Sequence, residues 1–361
     1  MNYRPKLWDC LFDMKKLNSA LILTKNFFLS NDKPWIIGYS GGKDSSLIIK
    51  IILKAISLIP KELRRPVQVF YCDTGVEIPV LRNYIKESLE AIQTEGISLG
   101  IEISVKAVRP PLSNHFFVKV IGRGYPPPSN KFRWCTDRLR IDPIQVAIKE
   151  SVGNSNCIVV LGTRYEESEE RTRTLERHAT DNEYFFNQTG HKNTILFCPI
   201  ADFSTDDVWE ALYELNEIKS INIHQLSTIY KLISGECPII KMPDSNPCSK
   251  GRFGCWTCTV IRKDKATKNM IDNGFYALRP LYDFRQWLLD VRDLPSFRCN
   301  IRRNGGKGLG PFRLSARKII LEKLLEAQEK SNYDLISTEE LSCIYKLWAD
   351  DLACEKYRED F

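Results

Sequence analysis

Residues 35–46 read Trp-Ile-Ile-Gly-Tyr-Ser-Gly-Gly-Lys-Asp-Ser-Ser. Trp35–Tyr39 is a short apolar run with the pattern of a buried strand. It ends in Ser40-Gly41-Gly42, a tight-turn signal. Ser45 to Ile59 follows as a nearly all-apolar helical stretch with Lys50 and Lys54 on one face. A glycine-rich turn between strand and helix presents backbone N–H groups to an anion. Gly41 and Gly42 let the backbone approach a phosphate closely. Lys43 can neutralise phosphate charge, Ser45 and Ser46 can donate hydroxyl hydrogen bonds, and Asp44 can help hold Mg²⁺. The spacing is not the Walker pattern G-x-x-x-x-G-K-S/T.

Outward from this stretch, strands alternate with helices. Val67–Cys72 reads as a second strand, and Leu81, Tyr84, Ile85, Leu89 and Ile92 recur at helical spacing. Ile101, Ile103, Val105 and Ala107 alternate as a third strand. Ile141 to Glu150 reads as helix, Ile158–Leu161 as a fourth strand and Thr194–Phe197 as a fifth. Ser204 with Asp207 has the form of a capping box, with Val208, Trp209 and Leu212 on the helix face behind it. Such alternation predicts an α/β fold, a twisted parallel sheet with flanking crossover helices. It stops near residue 235. A Pro- and Cys-rich segment follows, then helical signals around Leu321–Leu325 and Leu341–Leu352. The expected layout is an α/β domain over 1–235, a cysteine-rich segment over 236–265 and a small basic, mainly helical region over 266–361.

The 361 residues are 43% hydrophobic and 27% charged, which excludes global disorder. No apolar run reaches the length of a membrane span; the best, Leu47–Ile59, is broken by Lys50 and Lys54. Met1–Ser30 lacks a signal-peptide pattern. A cytoplasmic location without membrane contact is the expectation. Net charge is +7, a mild lean toward polyanions. Between Phe297 and Lys318 basic residues and glycines occur with no acidic residue. Such a loop suits either phosphate contact or plain solvation.

Twelve cysteines are many for a reducing compartment. Cys10, Cys72, Cys157, Cys198, Cys343 and Cys354 sit in apolar settings and read as small core hydrophobes. Cys248, Cys255 and Cys258, with Cys237 upstream, form a compact set containing C-x2-C. Four thiolates suit a tetrahedral zinc site or a 4Fe-4S cluster. Cys135 stands apart among Lys131, Arg133 and Arg138. Those cations would favour its nucleophilic thiolate. It is a candidate cluster ligand in place of Cys237, or a persulfide carrier.

Ser40–Ser46 matches the SGGxDS signature of PP-loop ATP pyrophosphatases, of the adenine nucleotide alpha hydrolase-like class. Asp73-Thr74-Gly75 at the end of the second strand resembles the D-T-G of the sulfate-reductase branch. Gly162-Thr163-Arg164, with Glu167-Ser168, Arg171 and Arg173, resembles that branch's G-x-R-x-x-E-S-x-x-R segment. Arg164, Arg171 and Arg173 could hold phosphates by their planar donor forks. Together these stretches resemble the phosphoadenosine-phosphosulfate reductase-like PP-loop family. With Arg133–Pro143 and Ser249–Val260 they are similar to its DndC/SspD type, which acts in DNA phosphorothioate modification. The single Cys135 departs from the Cys-Cys pair of cluster-bearing sulfonucleotide reductases.

The resemblance implies ATP and Mg²⁺ at Ser40–Ser46, with Asp73, Gly162, Arg164, Arg171 and Arg173 as further nucleotide contacts. Lys43, Asp44 and Cys135 are the expected catalytic residues. The cysteine segment is expected to carry a 4Fe-4S cluster, with zinc as the alternative. A DNA phosphate oxygen would be adenylated and then replaced by sulfur. The implied partners are DNA, a cysteine desulfurase and other phosphorothioation proteins. Transfer-RNA thiolation, sulfonucleotide reduction and a zinc-bearing nucleic-acid binding module are the competing readings.

Overall fold

The computed structural model describes residues 10–153, 155–167, 169–178, 180, 182–187, 194–234 and 254–353. The strands are β1 (Trp35–Tyr39), β2 (Val67–Cys72), β3 (Ile103–Val108), β4 (Cys157–Val160), β5 (Phe185–Asn187) and β6 (Thr194–Phe197). Their order in one sheet is β3-β2-β1-β4-β6-β5. β1 runs parallel to β2 and β4, and β4 parallel to β6. β5 adds to β6 as an antiparallel edge. The six-stranded, mostly parallel sheet with flanking helices is the expected α/β fold. Alternate sides of β1 and β4 are both apolar because parallel strands are covered on both faces: Ile36 and Ile37 on β1, and Ile158 and Val159 on β4, are all buried.

The helices in chain order are α1 (Cys10–Leu29), α2 (Lys43–Ser57), α3 (Pro79–Ser98), the single turn α4 (Trp134–Thr136), α5 (Asp142–Val152), α6 (Glu169–His178), α7 (Thr205–Glu214), α8 (Ile223–Ser234), α9 (Lys265–Asp272), α10 (Arg279–Val291), α11 (Leu314–Ser331) and α12 (Thr338–Ala353). α2 is buried almost all round because it packs on β1 and between α1 and α7. α1 had no counterpart in the sequence reading. It buries Leu17, Ala20, Thr24 and Phe28 at helical spacing, and Phe27 meets Phe185 and Phe197 at 4.5 and 5.0 Å between ring centroids. The Ser204 capping box on α7 is present in both directions. Among the described residues no helix is long and apolar enough to cross a membrane.

The chain divides into two compact units, and they do not follow the sequential layout of 1–235, 236–265 and 266–361. One comprises Met1–Tyr71, Leu81–Ala107 and Val146–Phe253. The other comprises Cys72–Val80, Val108–Gln145 and Gly254–Phe361. The second unit thus takes the D-T-G turn and the Cys135 segment as well as the C-terminal helices. Inside it, α10 packs on α11, and Trp348 of α12 donates its indole N–H to Ile121 O at 2.9 Å.

Candidate functional site

In the first unit, chain order reverses direction between β1 and β4: β1, β2 and β3 step one way across the sheet and β4 lies on the other side. The carboxyl ends of strands at such a switch point border the ligand crevice of an open α/β sheet. β1 ends at Tyr39, directly before Ser40–Ser46, and β4 ends just before Gly162. Gly41 takes φ +80°, the left-handed region that favours glycine. Gly42 precedes α2 without a side-chain cap of its own, and the first N–H of the helix, that of Lys43, is met instead by the Tyr230 hydroxyl. Ser45 closes the turn from within: its Oγ accepts from Ser40 N at 3.1 Å and donates to Gly42 O at 3.0 Å.

Three charged side chains meet behind this turn. Lys43 Nζ lies 2.9 Å from Asp44 Oδ2, and Arg164 Nε lies 2.6 Å from Asp44 Oδ1. The Lys43 N–H donates to Tyr230 Oη at 3.0 Å, and burial raises the pKa of that tyrosine, which keeps it a neutral hydroxyl. Arg164 is 1% exposed; Nη1 donates to Phe203 O at 2.9 Å and Nη2 reaches Thr205 Oγ1 at 3.5 Å. Each nitrogen of the fork already has a protein partner. Arg164 therefore positions Asp44 and residues 203–205, which differs from the expected phosphate fork. Gly162 explains itself by closeness. A Cβ there would lie 2.7 Å from the carbonyl carbon and oxygen of Asp44, so glycine lets β4's end pass against the start of α2.

The remaining expected nucleotide contacts lie at the start of α2, on α6 and in the D-T-G turn after β2. Ser46 is fully buried in the first turn of α2. Asp44, read as a Mg²⁺ ligand, has both carboxylate oxygens engaged by cations. Arg171 and Arg173 lie on α6, where Arg173 is exposed. Asp73 belongs to the second unit; its Oδ1 accepts from Gly75 N at 3.0 Å and its Oδ2 from Arg109 Nε at 2.7 Å.

The second unit gathers cysteines. Cys258 N donates to Cys255 O at 3.1 Å, closing the C-x2-C turn. Trp256 N donates to Val76 O at 3.0 Å, and Glu77 pairs with Cys255 in an antiparallel bridge. Cys255 Sγ lies 3.5 Å from Arg140 Nη2 and 3.7 Å from Thr74 Oγ1. Glu77 Oε1 accepts from Thr74 N and Oγ1 at 3.0 and 2.5 Å. Cys72 lies beside this group: its Sγ donates to Leu139 O at 3.1 Å, and burial pushes its thiol up to about 12, as in an unreactive buried cysteine. Cys135 departs from expectation. Burial raises its pKa, Cys255 and Cys258 add to the rise, and the pull of Arg140 is smaller.

Arg285 carried no sequence signal, yet it organises the cysteine loop. It is fully buried on α10. Nε and Nη2 donate to Cys258 O at 2.9 and 2.8 Å, Nη1 donates to Arg262 O at 3.0 Å, and Nη2 also donates to Ile261 O. Among the described residues no three His, Cys, Asp or Glu side chains are arranged to hold a metal ion. Cys237 and Cys248 lie outside the described residues. The C-x2-C turn with its guanidinium neighbour fits half of a thiolate-bound group. The other thiolates would come from Cys135 or the upstream cysteines.

The phosphoadenosine phosphosulfate reductase domain matches residues 34–261. The chain belongs to that family. A curated relative, a protein of Methanocaldococcus jannaschii described as uncharacterised, is 26% identical over 289 residues, covering 76% of this chain and 54% of its own. The chain thus spans about half the length of the curated relative it matches. Solved structures of similar backbone include phosphoadenylyl-sulfate reductase from Candida auris in its phosphate complex, 12% identical over 59% of this chain and 88% of that one, with TM-score 0.34. The U34-tRNA thiolase NcsA from Methanococcus maripaludis, with its 4Fe-4S cluster, is 15% identical over 80% of this chain and 83% of its own, with TM-score 0.39. Candida glabrata FMN adenylyltransferase in complex with FAD and pyrophosphate is 12% identical over 72% and 73%, with TM-score 0.38.

Proposed function

We propose that this family member is an ATP pyrophosphatase that activates a DNA backbone phosphate for sulfur insertion. The observation that carries the reading is the Ser40–Ser46 turn at the sheet's switch point, with Lys43 anchored to Asp44 and Asp44 anchored to Arg164. A DNA phosphate oxygen attacks the α-phosphorus of ATP, pyrophosphate leaves, and a phosphate–AMP anhydride forms. The amides at the start of α2 and the Lys43 ammonium stabilise the charge that gathers on the transferring group. Mg²⁺ would enter on the nucleotide's phosphates. Asp44 holds Lys43 and Arg164 in place. Hydrosulfide, the sulfur brought to that level by two electrons from a thiol reductant, then attacks the DNA phosphorus: the P–S bond forms as the P–O bond to AMP breaks, and AMP leaves.

The cysteine group of the second unit supports the sulfur half of the reading. A 4Fe-4S cluster bound there would hold the sulfur to be transferred. Cys255 and Cys258 would ligate it, with Cys237, Cys248 or Cys135 completing the set. Arg140 stabilises thiolate charge at Cys255, and Arg285 fixes the turn that carries Cys258. A cysteine desulfurase would supply the sulfur.

The test uses anaerobically purified full-length protein, assayed for iron, sulfide and zinc and for pyrophosphate release from ATP with and without DNA. DNA-dependent release and iron near cluster stoichiometry support the reading. Release stimulated by transfer RNA alone would move the acceptor to RNA, and zinc without ATP cleavage would leave a binding module. Lys43→Ala should lower pyrophosphate release by at least ~10²-fold, the order set by losing one preorganised charge-stabilising donor; turnover equal to the parent's would remove the turn from the mechanism.

A further inference from the structure

The second unit carries two confluent cavities beside the cysteine loop. The larger, of about 1100 Å³, begins at Thr259 and Val260, just after Cys258, and runs past α9. Its lining includes Lys131, Arg262, Lys263, Lys265, Lys268 and Arg292, against Asp264, Asp272 and Asp293. The smaller, of about 620 Å³, shares Ser129, Lys131, Arg292 and Asp293 with it and continues over Tyr125 and Phe132 to Arg302 and Arg303. The Asp264 carboxylate caps α9 through Thr267 N and Oγ1, and Asp293 pairs with Arg292 at 3.0 Å, which leaves the lysines in excess over the carboxylates. The result is one basic trough, about 1700 Å³ if the two volumes are simply joined.

Two details indicate what the trough would hold. Phe132 is 44% exposed, and its ring lies nearly parallel to that of Tyr125, 6.4 Å between centroids at 22°. Tyr125 is half-buried and backs the Phe132 ring, so Phe132 presents the exposed aromatic face; such a face in a cationic groove is a platform on which an unpaired base stacks. The second detail is Lys119. It is 9% exposed, its Nζ lies 5.2 Å from the Tyr125 ring centroid, and it has no ion-pair partner among the described residues. Burial lowers its pKa, and Arg123, Arg138 and Arg303 lower it further. Cations thus gather around the Tyr125 ring, with Lys119 and Arg303 over it.

The 297–318 loop divides accordingly. Arg298 is buried and donates to Gly310 O and Arg292 O, and Arg317 donates to Gly122 O and pairs with Asp351 at 2.7 Å. These arginines build the loop. Arg302 and Lys307 are exposed, and Arg303 reaches over Tyr125 at 5.0 Å while donating to Arg123 O.

We propose that this trough is a binding site for single-stranded nucleic acid, with Phe132, backed by Tyr125, stacking a base and the Lys131–Lys268 side binding phosphates. It deepens the acceptor reading above by naming the surface that receives the strand and its unpaired state. A polyanion without bases would use the cations but not the rings.

The test is fluorescence anisotropy with a labelled oligothymidylate of ~16 nucleotides, the upper site size of a single-strand groove, on the full chain without ATP. The same probe annealed to its complement, and heparin as competitor, are run beside it. Single strands should bind more tightly than duplex. Phe132→Ala should weaken binding about fivefold or more, the low end of the stacking range. Lys263→Ala with Lys268→Ala should reduce the steepness of the salt dependence by about 1.4, two phosphates' worth for a single strand. Tyr276→Ala, an aromatic 73% exposed that lines neither cavity, should change nothing. Equal affinity for duplex, unchanged binding by Phe132→Ala, or no binding to either probe would overturn the proposal. Because ATP is absent, those results leave the pyrophosphatase reading standing, and loss of ATP cleavage alone leaves the trough standing.

Discussion

Replacing Arg164 by Met keeps an apolar stem of similar length and removes three donor contacts, to Asp44 Oδ1, Phe203 O and Thr205 Oγ1. An exposed ion pair contributes ~0–1 kcal/mol, whereas breaking a buried one costs ~3–5 kcal/mol. Arg164 is 1% exposed and the Asp44 side chain 20%. Asp44 keeps Lys43 and some water, which places the loss at the lower end of that range, about 3 kcal/mol. Part of it is the Phe203 carbonyl left without its donor. The assay is native-state hydrogen exchange, followed over the amides of α2 and β4, because it reads the first unit without assuming that both units unfold together. Asp44→Asn should also destabilise, by breaking the contacts to both cations. The two changes share one interaction, so the double variant should lose less than the sum of the singles, by about 1–3 kcal/mol. Strict additivity, or an Arg164→Met variant within ~1 kcal/mol of the parent, would refute the account of a coupled charge triad behind the turn.

Gly162→Ala should cost about 1–3 kcal/mol, as overpacking does, and weaken ATP binding by calorimetry about tenfold, since its Cβ meets backbone atoms of Asp44 at 2.7 Å; parent-like affinity would show that the turn tolerates the shift. Arg285→Met should destabilise the second unit by roughly 2–4 kcal/mol, because the buried carbonyls of Cys258 and Arg262 lose their donor. Exchange rates at residues 258–262 that match the parent's would disprove its hold on the cysteine loop. His115 faces acceptors on both sides, Glu340 Oε1 at 3.1 Å and Pro110 O at 3.2 Å, so both ring nitrogens donate and the ring is an imidazolium. The Glu340 bond raises its pKa above 6.5. The stabilisation is therefore complete below pH 6.5 and fades as pH rises through the raised value. Thermal midpoints of the parent should fall across that window and those of His115→Gln should not; parallel profiles would remove the ion pair.

Much of the first unit was legible because its signals are local. Trp35–Tyr39 with the following glycines, the Val67–Cys72 run and the Ser204–Asp207 cap each specify an element within a few residues. Helix starts moved by a turn or less, as α2 does from Ser45 to Lys43. β5 escaped because three residues carry no periodicity, and it exists only by pairing with β6. Arg164, Arg285 and Arg298 were read as phosphate ligands, as nothing, or as part of a basic loop. Their partners are backbone carbonyls and a carboxylate fixed by tertiary structure. Nothing in the neighbouring sequence distinguishes an arginine that spans loops from one that awaits a ligand. Cys135 shows the same limit: its neighbours in sequence are cations, but burial and two other cysteines decide its protonation.

The chain passes between the two units at 71/72, 80/81, 107/108, 145/146 and 253/254. During synthesis, β1 and β2 emerge early, yet β4 and β6 must wait until two excursions into the other unit have been made. The sheet closes on contacts of long sequence separation, which slows its formation. The C-x2-C turn is made later still, after the sheet's last strand has left the ribosome. No single cut releases either unit intact, so a fragment ending at residue 235 would retain the nucleotide turn while leaving Cys72–Val80 and Val108–Gln145 without the rest of their own unit. Exposed apolar surface on those orphaned segments would favour aggregation over independent folding.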